Sequence, residues 1–225
     1  MKVLYEDNHC IIVYKPAGVL VQSDKTGDRT LGDDVKDYLK EKGNKPGEVF
    51  LGIVHRLDRP VDGIVIFAKT SKGASRLSAQ LRNHEMEKVY LAWVDGVVLE
   101  REKTLKNYLV KDEQRNIVRA FSMPRPDSKE AILSYKVIGY RGQTTLLEVQ
   151  LQTGRSHQIR AQLAVIGHPI VGDEKYGSLL TREKGTIGLT ASKLCFNLPV
   201  GGERKCIEIP VDTTGVSAEY IERTC

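Results

Sequence analysis

Two short apolar runs on either side of a polar loop place the strongest constraint on how this 225-residue chain folds. The runs are Phe50–Val54 and Ile64–Ala68, and both have the length of a buried strand. The segment between them, 55–63, contains Pro60 and Gly63, which favour a loop. We therefore expect two neighbouring strands that present a polar loop at one end.

The rest of the chain has the spacing of short strands with a few helices. Further strands are predicted near residues 3–5, 11–13, 89–94, 131–139, 144–152, 189–196 and 205–209. Helices are predicted at 31–42, after an N-cap at Ser71, and at 156–166, whereas the charged segment 100–129 is predicted to be a surface excursion. Because the strands do not alternate regularly with helices, we expect an α+β fold. It would be a single domain, 1–225, around a mixed, mostly antiparallel sheet with flanking helices.

Composition excludes several classes of protein. Hydrophobic residues make up 40% and charged residues 28%, as in ordinary globular proteins. No apolar run approaches the roughly 18–20 residues of a membrane span, and no export signal is present, so we expect a cytoplasmic protein. The net charge of +5 permits a polyanionic partner without requiring one. The four cysteines form no C-x-x-C pair, so we expect reduced thiols and no metal site.

Local sequence marks two candidate sites, each with a plain structural alternative. Asp58 stands between Arg56 and Arg59, and such a carboxylate stays ionised, as suits a nucleophile or an electrostatic stabiliser. The alternative is a surface ion pair in a turn. The segment Gly154–Arg160 joins a glycine break, two arginines and a helix start, which favours phosphate binding but also fits a solvated first helical turn. Tyr90, on a predicted strand, is by itself more often a core residue.

Several motifs, taken in order, resemble those of the RluA-type pseudouridine synthases. They are Lys15-Pro16-Ala17-Gly18, His55-Arg56-Leu57-Asp58 with Gly63 and Ala68-Lys69, Lys88-Val89-Tyr90, Gly154-Arg155-Ser156-His157-Gln158-Ile159-Arg160, Gly167-His168-Pro169-Ile170 and Gly172-Asp173-Glu174-Lys175-Tyr176-Gly177. The set covers roughly residues 2–200. Any one of these motifs arises easily by chance, but the ordered set does not.

The resemblance implies an enzyme that isomerises uridine to pseudouridine in ribosomal or transfer RNA. It implies a central RNA-binding cleft, a flipped-out uridine, and no cofactor or metal. Asp58 would be the essential carboxylate, either adding covalently to the nucleotide or removing a proton at C2′. Arg160 would pair with Asp58, and Tyr90 would stack on the target base. The front RNA-binding domain of the S4 type, which many relatives carry, is expected to be absent, and we expect a monomer.

Five further residues are candidates for substrate binding. Arg56 is expected to fill the place that the flipped base leaves, because a planar guanidinium stacks on bases and contacts phosphate. His55 lies in the same motif. Ile159 would line the base pocket or belong to the core, and Arg155 and Lys15 are weaker candidates for phosphate contacts.

Two departures from the family pattern concern substrate handling. Val61-Asp62-Gly63 stands where relatives usually have T-S-G, which adds a carboxylate four residues after Asp58. Thr190 stands where many members have histidine. Two other functions remain open at this point, namely a non-catalytic RNA-binding protein on the same scaffold and an unrelated hydrolase that uses Asp58 and His55 as acid–base partners.

Overall fold

The computed structural model describes residues 1–44 and 47–210, which form eleven strands and three α-helices. The chain divides into two compact units. The first comprises Met1–Glu87 and Lys193–Ile209, and the second comprises Lys88–Ser192 and Pro210. The predicted α+β class is confirmed, whereas the predicted single domain and central cleft remain predictions. In the described part of the chain, no helix is both long and apolar enough to span a membrane.

The first unit is built on a small antiparallel sheet. Its first four strands are β1 (Lys2–Glu6), β2 (Cys10–Lys15), β3 (Gly52–Ile53) and β4 (Asp62–Ala68). β2 pairs with β1 on one side and β4 on the other, and β3 pairs with the last two residues of β4. The β2 side chains from Cys10 to Val13 are fully buried and form the centre of this sheet.

Two helices complete the first unit. They are α1 (Leu31–Gly43) and α2 (Ser71–Arg82), of which α2 packs on β3 and β4. Thr30 and Asp33 form a reciprocal capping box at the start of α1. The first two backbone N–H groups of α1 donate to the carbonyls of Leu20 and Val21, so the helix start holds the segment that follows β2.

The second unit contains a five-stranded antiparallel sheet. Its strands are β5 (Glu87–Asp95), β6 (Glu102–Asp112), β7 (Ile117–Phe121), β8 (Lys129–Arg141) and β9 (Thr144–Leu151), arranged in the order β5-β9-β8-β6-β7. Helix α3 (Gln158–Val165) packs on β6 and β7, where Ala161 meets Leu109, Val118 and Ala131 in a buried cluster. The helix therefore covers one face of this sheet.

Two strand predictions were wrong. The run at 50–54 forms strand only at Gly52 and Ile53, and Phe50 is exposed. Helix α2 lies close to this strand, because a side chain at position 52 would collide with Ala74. The segment 100–129 is not an excursion but contributes β6 and β7. Its buried residues face the core while the charged residues between them face solvent, so a high charge content hid the strand.

Two smaller predictions also need correction. The N-cap of α2 is Thr70 rather than Ser71, because the Thr70 hydroxyl accepts the N–H of Gly73. The expected reduced thiols are wrong for Cys195 and Cys206, which form a disulfide. They lie directly opposite each other on β10 (Leu189–Asn197) and β11 (Arg204–Glu208). Cys10 is a buried free thiol, and Cys225 lies outside the described residues.

The α1 cap generates the first prediction. Replacing Thr30 with alanine removes the hydroxyl that accepts the N–H of Asp33 and should lower the free energy of unfolding by about 1 kcal/mol. Thr30→Ser keeps a hydroxyl and should recover most of this loss. Urea denaturation followed by circular dichroism measures both values, and equal losses in the two variants would contradict a capping role.

Candidate active site

The loop that carries Asp58 is held at both ends by strands of the first unit. β3 and β4 pair with each other on either side of residues 54–61. The carbonyl of Asp58 accepts the N–H of Val61 at 3.1 Å, which closes a turn, and the side chains of Val61 and Leu57 are buried. Asp58 itself is half-buried and Arg56 is exposed. The turn thus presents a carboxylate on a constrained backbone.

The turn after β2 is hydrogen-bonded to the Asp58 loop. Gly18 donates its N–H to the carbonyl of Arg59 at 2.8 Å, and Arg59 Nε donates to the carbonyl of Gly18 at 2.9 Å. Gly18 has a φ of +84°, a left-handed conformation that favours glycine. Arg59 also pairs with Asp28 through Nη2 at 2.8 Å. Two motifs that are distant in sequence therefore form one bonded structure.

Lys15 is buried beneath these two loops. Its Nζ donates to the carbonyl oxygens of Pro16 at 3.0 Å, Val19 at 2.7 Å and Arg59 at 3.1 Å. An ammonium group has three protons, so these acceptors match its full donor capacity. The side chain is 0% exposed and its protons hold the loops together, so the structure gives Lys15 a supporting role, and its predicted phosphate contact stays a prediction.

The buried ammonium also sets the local electrostatics. Burial lowers the pKa of Lys15 to about 8, and the nearby carboxylates of Asp62 and Asp58 oppose that shift by stabilising the charged form. Lys15 is therefore a cation below its pKa, placed close enough to Asp58 to interact with it. Lys15 thus places a positive charge beneath the loop that carries Asp58.

His55 supports strand β4. The N–H of Ile66 donates to His55 Nε2 at 3.3 Å. β3 pairs only with the last two residues of β4, so at Ile66 it no longer offers a hydrogen-bond partner. In this contact His55 Nε2 therefore acts as the hydrogen-bond acceptor. The structure thus gives His55 a supporting contact, and its predicted contact with substrate stays a prediction.

Asp62, the departure from the family pattern, has a partner on β2. The hydroxyl of Tyr14 donates to Asp62 Oδ2 at 2.6 Å, and both side chains are half-buried. Burial, together with the Asp62 carboxylate, raises the pKa of Tyr14. The extra carboxylate therefore ties the end of the Asp58 loop to β2.

In the second unit, a buried ion pair fixes Arg160. Its Nε lies 2.6 Å from Asp173 Oδ2 and its Nη2 lies 2.8 Å from Oδ1, a bidentate geometry. Arg160 is 6% and Asp173 1% exposed, so solvent screens the pair weakly. The guanidinium also lies over the ring of Tyr176, 4.9 Å from its centroid. Arg160 is therefore held in one orientation.

Tyr176 links this ion pair to the start of α3. Its hydroxyl accepts the N–H of Val118 at 2.9 Å and lies 2.8 Å from Nδ1 of His157. His157 is the N-cap residue of α3 and has a left-handed φ of 48°. No role is predicted for Asp173 or Tyr176 from the sequence. The only signal was their motif, 172–177, because nothing in the spacing indicates that they meet Arg160.

The other candidates of the second unit lie on or near the same sheet. Tyr90 is 8% exposed on β5, and its cross-strand neighbours Val149 and Tyr135 share the face on which α3 packs. Ile159 is 5% exposed in α3. Arg155 is exposed and donates from Nε to the carbonyl of Glu130 at 3.1 Å.

The predicted site residues therefore divide between the two units. The first contains Lys15, His55, Arg56 and Asp58, and the second contains Tyr90, Arg155, Ile159 and Arg160. Within the first unit the structure brings Lys15 to the Asp58 loop, and the predicted pairing of Arg160 with Asp58 stays a prediction. Among the described residues, no cluster of three or more potential metal ligands occurs.

Comparison with protein families finds one match across most of the chain. A family model described as RNA pseudouridylate synthase matches residues 9–165. That range contains Asp58, Tyr90 and Arg160, although it ends before Asp173.

Individual relatives and solved structures agree with this match. The chain is 30% identical to tRNA pseudouridine synthase C of Pectobacterium carotovorum, over 90% of this chain and 57% of the relative. It is 32% identical to ribosomal large subunit pseudouridine synthase C of Vibrio parahaemolyticus, over 94% of this chain and 66% of the relative. The chain thus spans only part of the length of these curated relatives. The structure of human RNA pseudouridylate synthase domain containing 4 aligns with a TM-score of 0.77 at 21% identity, over 95% of this chain and 89% of that one.

The burial of Lys15 predicts a pH dependence of stability. Its pKa in the folded state, about 8, lies below the ordinary value of 10.5, so between these values the unfolded chain binds more protons. The free energy of unfolding of the wild type should therefore rise over this window relative to that of Lys15→Met. Urea denaturation across the window measures the difference.

Lys72→Met is the matched control for this pH series, because Lys72 is an exposed residue of α2. It should change the free energy of unfolding by less than about 0.5 kcal/mol. A difference between wild type and Lys15→Met that stays flat or falls through the window would contradict the buried-cation interpretation.

The Tyr14–Asp62 contact predicts a measurable coupling. Tyr14→Phe and Asp62→Ser should each destabilise the first unit, and the double variant should lose less than the sum because the shared hydrogen bond is removed once. A hydrogen bond to a charged group predicts a coupling energy of about 1.5–3 kcal/mol, reduced by partial exposure. A double-mutant cycle of unfolding free energies measures it, and strict additivity would rule out the bond.

Proposed function

The chain belongs to the RNA pseudouridylate synthase family, and from this premise we propose that it isomerises uridine to pseudouridine within RNA. The N1–C1′ bond of the target uridine breaks, the base rotates, and C5 bonds to C1′. The hydrogen on C5 leaves to solvent and N1 takes up a proton, so the atoms balance without a cofactor. The proposal rests chiefly on the family match that spans Asp58, Tyr90 and Arg160.

Asp58 is the proposed catalytic residue. Its support is the constrained loop that presents it and the buried Lys15 cation that lies beneath that loop. An ionised carboxylate can add to the nucleotide or take the proton at C2′, and both routes remain compatible with this geometry. A neutral amide at this position could do neither.

The other motif residues act on the flipped nucleotide in this proposal. Tyr90 stacks on the target base, and Arg160, held by Asp173, pairs with Asp58 and keeps it ionised. Arg56, exposed on the Asp58 loop, fills the vacated position in the RNA stack. His55, Arg155 and Ile159 complete the substrate contacts.

The substrate class is proposed as ribosomal or transfer RNA. The relatives named above are described as acting on one or the other. We propose that the whole chain, 1–225, acts as one catalytic domain.

The reaction is tested by tritium release. Wild-type protein incubated with bulk transfer or ribosomal RNA labelled with tritium at uridine C5 should release tritium to water. Asp58→Asn should reduce the rate at least about 1,000-fold, to the limit of detection, because it removes the group that starts the reaction.

Asp127→Asn provides the control for the same chemical change. Asp127 is exposed in a loop of the second unit and has a φ of 60°, a left-handed conformation that asparagine also adopts readily. Its activity should equal that of the wild type. Equal release by Asp58→Asn would show that Asp58 is not the catalytic carboxylate, and binding of RNA without release by any protein would favour the non-catalytic alternative.

A further inference from the structure

Lys88 is an unpaired cation at the start of β5. Its side chain is half-buried, and within residues 1–44 and 47–210 no hydrogen bond or ion pair to its Nζ is formed. Burial alone lowers its pKa, with no carboxylate to oppose the shift. A partly buried charge costs free energy unless it is paired, so an unpaired lysine at this depth calls for an explanation.

The Lys88 amine lies against the backbone of a neighbouring loop. A Cβ added to Gly154 would stand only 3.3 Å from Nζ, so the absence of a side chain at position 154 leaves room for the amine. Gly154 and the next two residues, Arg155 and Ser156, are exposed. The ammonium group therefore reaches the surface at a point where the loop itself places a second basic side chain.

The position of Lys88 on its strand relates it to Tyr90. Residues two apart on a strand point to the same face, so Lys88 and Tyr90 share a face of the second sheet. Cross-strand pairing through Val149 and Tyr135 identifies this as the face on which α3 packs. Lys88 is thus the cation next to the residue on which the target base is proposed to stack.

We propose that Lys88, in the notch left by Gly154, binds a backbone phosphate of the RNA strand adjacent to the nucleotide that stacks on Tyr90. This contact rests on the proposed function for its substrate. Phosphate is the chemistry indicated because the site offers a compact ammonium and an exposed guanidinium without an acidic partner for Lys88, and RNA supplies a phosphate beside every base. Lys88 is a binding residue in this proposal and takes no part in the bond changes.

The dependence of RNA affinity on salt tests this contact. Each phosphate that a cation neutralises on a single strand contributes about 0.7 to the slope of log affinity against log salt. For an oligouridylate of about 20 nucleotides, Lys88→Met should bind about tenfold more weakly at low salt and show a slope shallower by about 0.7. Fluorescence anisotropy over a series of salt concentrations measures both quantities.

Lys136→Met is the matched control for the loss of one positive charge. Lys136 is exposed on β8 but lies on the opposite face of the sheet, because its neighbour Tyr135 points toward the α3 side. The control should keep the wild-type slope. Lys88→Arg should retain most of the slope, because it keeps the charge, and Lys88→Gln replaces the methionine variant if the latter fails to fold.

Three results would overturn the proposal. The first is a wild-type slope for Lys88→Met, and the second is an equal loss of slope for Lys136→Met. The third is an NMR result in which inorganic phosphate shifts the Lys88 Nζ resonance although the slope for RNA does not depend on Lys88. Tritium release separates this proposal from the proposed function. An active wild type with a slope independent of Lys88 overturns the phosphate contact alone, whereas a Lys88-dependent slope in an inactive protein overturns only the reaction.

Discussion

The ammonium group of Lys15 organises the first unit of this protein. Three carbonyls from two loops accept its protons, and one of them belongs to Arg59, next to the proposed catalytic Asp58. Burying a charge is unfavourable in isolation, and here the full set of acceptors compensates for the lost hydration. The same ammonium group therefore holds the loops together and supplies a positive charge near the carboxylate of Asp58.

The second unit uses a different solution for its buried cation. Arg160 is satisfied by a bidentate carboxylate, Asp173, and by the ring of Tyr176. A planar guanidinium paired in this way has little rotational freedom, which suits a group that must keep one orientation. Lys88 contrasts with both cations, because neither a carboxylate nor a set of carbonyls satisfies it within the described residues. An unsatisfied cation on a protein proposed to bind a polyanion is best explained by the ligand.

Secondary structure could be predicted where the spacing of apolar residues was regular. The prediction failed where charged residues concealed that spacing. β4 and α1 follow from the spacing of their apolar residues, and both were found within two residues of their predicted bounds. β6 was missed because only every fourth residue or so of a charged segment is buried, a pattern that resembles a surface loop. The bond between Cys195 and Cys206 was missed because it depends on the pairing of β10 with β11, which no local pattern reveals.

The sequence by itself determined the family, through an ordered set of short motifs, and with it the candidate residues Asp58, Tyr90 and Arg160. Only the tertiary structure decided which groups hold them. The acceptor that Arg59 offers Lys15 lies 44 residues away along the chain, and Asp173 lies 13 residues beyond Arg160. Local spacing reports on neighbours within a turn or a strand, whereas the burial of a charge depends on partners that folding alone brings within hydrogen-bonding distance. For that reason Lys15 could be recognised as a motif residue but not as a buried support of the Asp58 loop.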